Sequence, residues 1–322
     1  MGPNTEHDRR ALLALMLLPG AGRAAIRDAR ALTRRLGLSL DALLSHANRQ
    51  TLALEAGASD GLAVLLGRYK PAYADRAQRL LDRAQAAGII IMTDDDPGYP
   101  PKLRRFLERQ APPLLFMWGN RKLLDAPMAG IVGARKVTKG GGILAEECAR
   151  TLAEYGAVIV SGGAAGVDTA AQVGTLGVEG RMVVILPQGL LTCHIPASFV
   201  GAMRKGRTLV MSEFAPDARW TTLGAVTRNA TISALARMVC VIEPRKRGGS
   251  IRTARFALAQ GKRVLVHHAQ DVPELLAHAG AMPIIDATGQ FNPARLCQLW
   301  ATTPEPPGGQ ATLALGDTPT SE

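Results

Sequence analysis

From residue 128 onward the chain alternates short, nearly unbroken runs of Val, Ile and Leu with glycine-bearing loops and helical segments. The runs are MAGIV (128–132), AVIVS (157–161), MVVIL (182–186), TLVMS (208–212), MVCVIE (238–243) and RVLVH (263–267). A strand with one wet face alternates apolar and polar residues, whereas runs without that alternation belong to strands covered on both faces. Between the first two runs lies GGILAEECARTLAEYG, a helical segment, and strand–helix alternation of this kind builds a parallel sheet. The expected fold class is α/β, a largely parallel sheet with flanking helices. Ligands of such sheets gather at the carboxyl ends of the strands, where loops and helix starts converge.

The preceding residues read differently. Residues 9 to about 70 are dense in Ala, Leu and Arg, with apolar positions at helical spacing, which describes a small all-helical unit. Within it, LLPGAGRAAI (17–26) places a glycine-bearing turn before a helix, the arrangement of a helix-hairpin-helix. Such a turn lets backbone N–H groups and a helix start face a phosphate; a tight helical hairpin with no ligand has the same signature. A helix over 74–88 leads into the β-branched run IIIMT (89–93), then DDDPGYPPKLRRFL gives a turn and short helix, and PPLLFMWGN (112–120) a further strand. The expected domains are a helical one over 1–75, an α/β core with its extension over 76–284, and a short segment with a tail over 285–322. Past residue 303 the tail is rich in Pro, Gly and Thr and is expected to be disordered.

Charge narrows the class of ligand. The 322 residues hold 38 Lys and Arg against 27 Asp and Glu, a formal charge of +11 and a pI near 10.0, which favours polyanions such as nucleic acid or nucleotides. Cys148, Cys193, Cys240 and Cys297 are too widely spaced for a zinc ribbon and read as reduced cysteines of a cytosolic protein. The apolar run ALLALMLLPGAG is too short before its Pro-Gly break to span a bilayer, so the expectation is a cytoplasmic protein with no membrane partner.

Several strand-following loops carry the candidate site. In the stretch GARKVTKGG, Gly133 permits a tight turn, the helix start near Thr138 can meet an anion, and Arg135, Lys136 and Lys139 supply cations. In SGGAAGVDTAA (161–171), Ser161 closes the strand, Gly162, Gly163 and Gly166 allow close backbone approach, and Asp168 is placed to cap the next helix. Asp168 could instead hold a sugar hydroxyl or act as a base. In TRNATISALA (227–236), Arg228 and Asn229 precede an apolar helical stretch, facing either the crevice or solvent. Finally, EPRKRGGSIRTARFALAQGKR (243–263) brings Gly249 and Ser250 to a helix start, Thr253 into its first turn, and Lys262 to its far end. Neither a GxGxxG with a downstream acid nor a GxxxxGK[ST] is present, which argues against ordinary dinucleotide binding and ATP hydrolysis.

Chemistry beyond binding has thin support. Glu213 and Glu243 each follow a strand and Asp168 lies in a loop, so a carboxylate cluster is conceivable if the protein is an enzyme. No nucleophile elbow, HExxH or Cys-His arrangement accompanies them; His194 is either a base or simply a loop residue, and His267 and His268 end a strand without a recognisable set of metal ligands. No catalytic residue, metal or cofactor is expected.

Taken in order, GIIIMTDDDPGYPPKLRRFLERQAPPLLFMWGN, GIVGARKVTKGG, VIVSGGAAGVDTAA, MVVILPQGL, LVMSEFAP, TRNATISALA and EPRKRGGSIRTARFALAQGKRVLV resemble the DNA-processing protein A family, also called DprA or Smf, over residues 9–284. The resemblance implies a Rossmann-like core and a dimeric cytosolic protein. It also implies binding of single-stranded DNA and help in loading a RecA-type recombinase during natural transformation. The family's phosphate-contacting positions fall on Arg135, Lys136, Gly162, Gly163, Arg228, Asn229, Gly249, Ser250, Thr253 and Lys262. The chain departs from the family pattern at Ala134, where a serine is usual, at Ala165 and Ala230, where arginines are usual, and at Gln172, where a histidine is usual. The winged-helix-like end of many members is not expected after residue 284. Additional cations, Lys136, Lys139, Lys205, Arg207, Arg245, Lys246 and Arg247, are expected to restore general charge without the lost geometry. Two rival readings remain: a nucleotide sensor or nucleotide-processing enzyme of the related superfamily, whose PGGxGTxxE signature is missing, and an interaction protein whose basic surface is incidental.

Overall fold

A computed structural model of the chain describes residues 6–245, 248–267, 280–286 and 288–304. The strands are β1 (Ile90–Thr93), β2 (Leu114–Gly119), β3 (Met128–Gly133), β4 (Val158–Ser161), β5 (Arg181–Leu186), β6 (Thr208–Ser212), β7 (Met238–Ile242), β8 (Arg263–His267) and β9 (Met282–Pro283). The chain forms two compact units, one of Met1–Arg121, Leu186–Gly201 and Leu209–Ala225, the other of Lys122–Ile185, Ala202–Thr208 and Val226–Glu322.

The first unit opens with helices α1 (Glu6–Met16), α2 (Arg23–Leu36), α3 (Leu40–Ser45), α4 (Arg49–Glu55), α5 (Asp60–Gly67) and α6 (Pro71–Ala86). Ile26, Ala29, Leu32 and Thr33 of α2 recur every three or four residues and are buried, as a helix with one apolar stripe requires. Serines start two of the short helices: Ser39 Oγ accepts from Ala42 N at 3.1 Å and Ser59 Oγ from Leu62 N at 3.3 Å. Helix α7 (Pro101–Leu107) follows β1, and β2 pairs antiparallel with β1 on one side and with β6 on the other. The opposite face of α2 meets the acidic turn after β1. Arg30 pairs with Asp94 and Asp95, Arg27 lies 3.6 Å from Asp94, and Arg23 reaches Glu213 at 3.0 Å. Arg104 of α7 adds a bond to the Asp94 carbonyl at 3.0 Å, so DDDP is a receiver for arginines as well as a turn.

The second unit holds the parallel sheet, in the order β5-β4-β3-β7-β8-β9, every neighbouring pair parallel. Strands β4 and β7 are buried along their whole length, which accounts for their unalternated sequences. All six expected runs from 128 onward are strands. Helices α8 (Lys139–Glu154) and α9 (Val167–Gly177) pack on each other, with Leu144, Ala145, Cys148, Ala149 and Leu152 of α8 buried. Helix α10 is Ala197–Arg204, and α12 (Gly249–Ala259) and α13 (Pro293–Ala301) belong to the second unit.

Helix α11 departs from expectation. It runs Thr222–Leu235, starting five residues before the apolar stretch at 227, because the Thr221 hydroxyl accepts from Gly224 N at 2.9 Å and sets an earlier start. Arg228 and Asn229 therefore lie inside the helix, both buried, rather than ahead of it. Among the described residues no helix is long and apolar enough to cross a membrane. The tail expected to be disordered falls on 305–322, outside the described residues, as do Lys246, Arg247 and His268.

Candidate functional site

At the carboxyl ends of the parallel strands, the connections after β3, β4 and β7 are tied to one another. Ala134 N donates to the Ile242 carbonyl at 3.1 Å, and Val167 N to the Ala134 carbonyl at 3.1 Å. Asn229 Nδ2 donates to the Gly249 carbonyl at 3.1 Å, joining α11 to the start of α12. Gly166 has φ +82, and a Cβ there would lie 2.3 Å from the Ala134 carbonyl oxygen; this contact between the first two loops requires glycine.

Asp168 and Arg228 form the buried frame of this rim. Asp168 does not cap α9, whose N-cap is Gly166 without a side-chain bond. Instead its Oδ2 accepts from Gly162 N at 3.1 Å and from Ala164 N at 3.2 Å, folding the glycine loop around one carboxylate oxygen. Arg228 Nη1 lies 3.9 Å from that oxygen and donates to the Ile185 carbonyl at 3.2 Å. Burial pushes the Asp168 carboxyl above its ordinary pKa, against the pull of Arg228 and of the two N–H donors. Gly162 is where the guanidinium rests: a Cβ would stand 1.2 Å from Arg228 Nη1. Ser161 is also internal, its hydroxyl donating to the Ile131 carbonyl at 2.8 Å.

Glu243 has a role that the sequence did not disclose. It follows β7 with φ +47, a left-handed backbone unusual for a residue with a side chain, and is buried. Its Oε2 accepts from Thr138 N at 2.9 Å and its Oε1 from the Thr138 hydroxyl. That hydroxyl in turn accepts from Gly141 N at 3.1 Å and caps α8. The helix start expected to face an incoming anion thus already has an anion of the chain beside it.

Each of the three acids has a structural partner of its own. Glu213 belongs to the first unit and pairs with Arg23, Asp168 holds the glycine loop, and Glu243 holds Thr138. Among the described residues no group of three or more His, Cys, Asp or Glu could hold a metal ion. His194 is exposed in a loop of the first unit.

The remaining expected site residues separate by exposure. Arg135, Lys136 and Lys139 are exposed on the β3–α8 connection, Gly133 is half-buried at its root, and Gly163 and Gly249 are exposed at the rim. Ser250 and Thr253 are buried in the first turns of α12, the Thr253 hydroxyl donating to the Gly249 carbonyl at 3.3 Å. Lys262 is not brought to the rim. It precedes β8, at the amino end of that parallel strand, and is buried with its ammonium on the carbonyls of Ser233 and Ala234, where it neutralises the carboxyl end of α11. Lys205 and Arg207 are likewise at the amino edge, since the Arg207 carbonyl accepts from Met182 N at 2.9 Å, so they add no charge to the rim. Arg245, after β7, is exposed.

A family model described as DNA recombination-mediator protein A matches residues 89–288. DNA processing protein DprA of Streptococcus pneumoniae is 34% identical over 174 residues, covering 52% of this chain and 59% of the relative. Protein Smf of Synechocystis is 29% identical over 236 residues, 65% of this chain and 58% of the relative, so the chain spans less than two thirds of the length of these relatives. Of solved structures, the S. pneumoniae DprA covers 94% of this chain and 99% of its own at TM-score 0.66 and 23% identity, a likeness of fold. DNA processing protein A of Helicobacter pylori, described for its single-stranded DNA binding mode, covers 66% and 95% at TM-score 0.54 and 27% identity.

Proposed function

The chain belongs to the DNA recombination-mediator protein A family, and on that premise we propose that it binds single-stranded DNA along the carboxyl rim of its parallel sheet. The observation that carries this reading is the tying together of the loops after β3, β4 and β7, which sets exposed Arg135, Lys136 and Lys139 beside the exposed backbone of Gly163 and Gly249. Phosphates are held by the cations and by approach to bare backbone; Asp168 and Arg228 keep the loops in place from beneath. With 6 Phe, 3 Trp and 4 Tyr in the chain, stacking platforms are few, and recognition is of the backbone with little base preference. We read the second unit as a Rossmann-like core and the turn Pro19–Gly22 as helix-hairpin-helix-like. The bound strand is passed to a RecA-type recombinase by a cytoplasmic homodimer.

The test is titration of a dye-labelled oligothymidylate at two salt concentrations. Arg135→Ala combined with Lys136→Ala should weaken binding roughly tenfold to a hundredfold, about 1.4–2.8 kcal/mol. It should also flatten the dependence of log K on log salt by about 1.4, at about 0.7 for each phosphate no longer neutralised. Binding that ignores salt, or that the double substitution leaves intact, overturns the assignment.

A further inference from the structure

The parallel strands begin at a second charged edge. Arg181, Arg237 and Arg263 stand at the heads of β5, β7 and β8, and Arg207 immediately precedes β6. Two of these arginines are committed to α13: Arg237 bonds the Trp300 carbonyl and lies over its ring at 4.5 Å, and Arg263 donates to the Thr302 and Thr303 hydroxyls at 3.0 Å. The other two are not absorbed in this way. Arg181 is exposed and anchored by one bond to the Gly156 carbonyl at 2.6 Å. Arg207 and Lys205 meet a single carboxylate, Glu179, at 3.4 and 3.3 Å, and Arg204 beside them is exposed. Glu179 itself adopts φ +54, and with Glu154, exposed beside Tyr155, it sets two negative charges against four positive ones. Next to Gly156 stands Tyr155, 54% exposed, in a chain where large exposed aromatics are rare.

We propose that this amino edge is a second contact surface for single-stranded nucleic acid, separate from the rim, so that one chain holds two strand segments. Cations for phosphates beside an exposed aromatic ring for a base are the components of sequence-tolerant single-strand binding. An acidic protein partner would call for an exposed apolar centre within the charged surface, and the apolar residues flanking these cations in sequence, Val178 and Met203, are half-buried rather than exposed. The two surfaces are electrostatically independent: β5 spans six residues, roughly 16–20 Å at about 3.3 Å each, about twice the screening length of about 10 Å at 0.1 M salt. The choice of ligand rests on the nucleic-acid reading above, whereas the position of the surface does not.

The full chain with hexathymidylate in volatile ammonium acetate at about 0.1 M, where that screening length applies, counted by native mass spectrometry, tests it. The expected count is two oligonucleotides per chain, falling to one in Arg204→Glu/Lys205→Glu and in Tyr155→Ala, each residue being exposed and outside the core. Arg135→Ala/Lys136→Ala should also fall to one, retaining the copy that the amino-edge variants lose. A wild-type count of one that the amino-edge variants leave unchanged, or a count of two that survives both of them, overturns the proposal. If the amino-edge variants fall to one while the rim variant keeps two, the proposal stands and the rim assignment fails.

Discussion

Gly162→Ala offers the sharpest test of how the rim is built. A methyl group at that position would sit 1.2 Å from Arg228 Nη1, so the guanidinium has to leave its seat. Leaving breaks its bond to the Ile185 carbonyl, a charged hydrogen bond of about 1.5–3 kcal/mol. It also strips Asp168 of its buried counter-charge, for which about 3–5 kcal/mol is typical when a partner is deleted outright. The two costs overlap, and displacement is milder than deletion, so a loss of about 3 kcal/mol is expected, a large part of an ordinary stability of about 5–15 kcal/mol. Urea unfolding followed by far-UV circular dichroism measures it, and a double-mutant cycle isolates the cause. In an Arg228→Ala background there is no guanidinium to displace, and the cost of Gly162→Ala should fall by about 2 kcal/mol or more. A cost below about 0.5 kcal/mol in the wild type, or an equal cost in both backgrounds, would refute the reasoning.

Two more expectations separate structural charges from binding charges. Lys262→Met keeps the aliphatic stem but removes the ammonium from the carboxyl end of α11; it should cost about 2–4 kcal/mol in urea unfolding while leaving the salt dependence of oligonucleotide binding unchanged. Asp168 has a folded pKa raised above its unfolded one, so its contribution to stability is fullest in acid and declines as pH rises through the folded value. Asp168→Asn removes that decline: between pH 4 and pH 7 the variant should lose less stability than the wild type, and an identical pH profile would count against the buried-charge assignment.

The parallel sheet was legible because covered strands leave an unmistakable trace, nearly unbroken runs of Val, Ile and Leu, two of them closed directly by glycine. Loop positions followed from the same pattern, which is why Arg135, Gly162 and Gly249 could be placed at one edge in advance. What failed was the orientation of side chains whose partners are distant in sequence. The destination of Lys262 depends on where α11 ends, and Arg228 is buried because α11 begins at Thr222, a start signalled by Thr221 and obscured by Gly224 three residues later. Glu243 reaches Thr138 across 105 positions from a left-handed backbone that sequence gives no reason to expect outside glycine or asparagine. For the α2 arginines a signal did exist: Arg23, Arg27 and Arg30 fall on one helical face, and Asp94 and Asp95 of the acidic triplet are the complement that Arg27 and Arg30 meet.

The carboxylate of Glu243 has a consequence for how tightly anything can be held nearby. Because the chain supplies its own stand-in for a phosphate at the head of α8, a nucleic-acid strand passing over this edge meets a seat that is already taken and a charge of its own sign. What remains available to the proposed ligand is reach from outside, through exposed guanidinium and ammonium groups whose hold fades as salt rises. On the reading proposed above, such a surface retains a strand without trapping it.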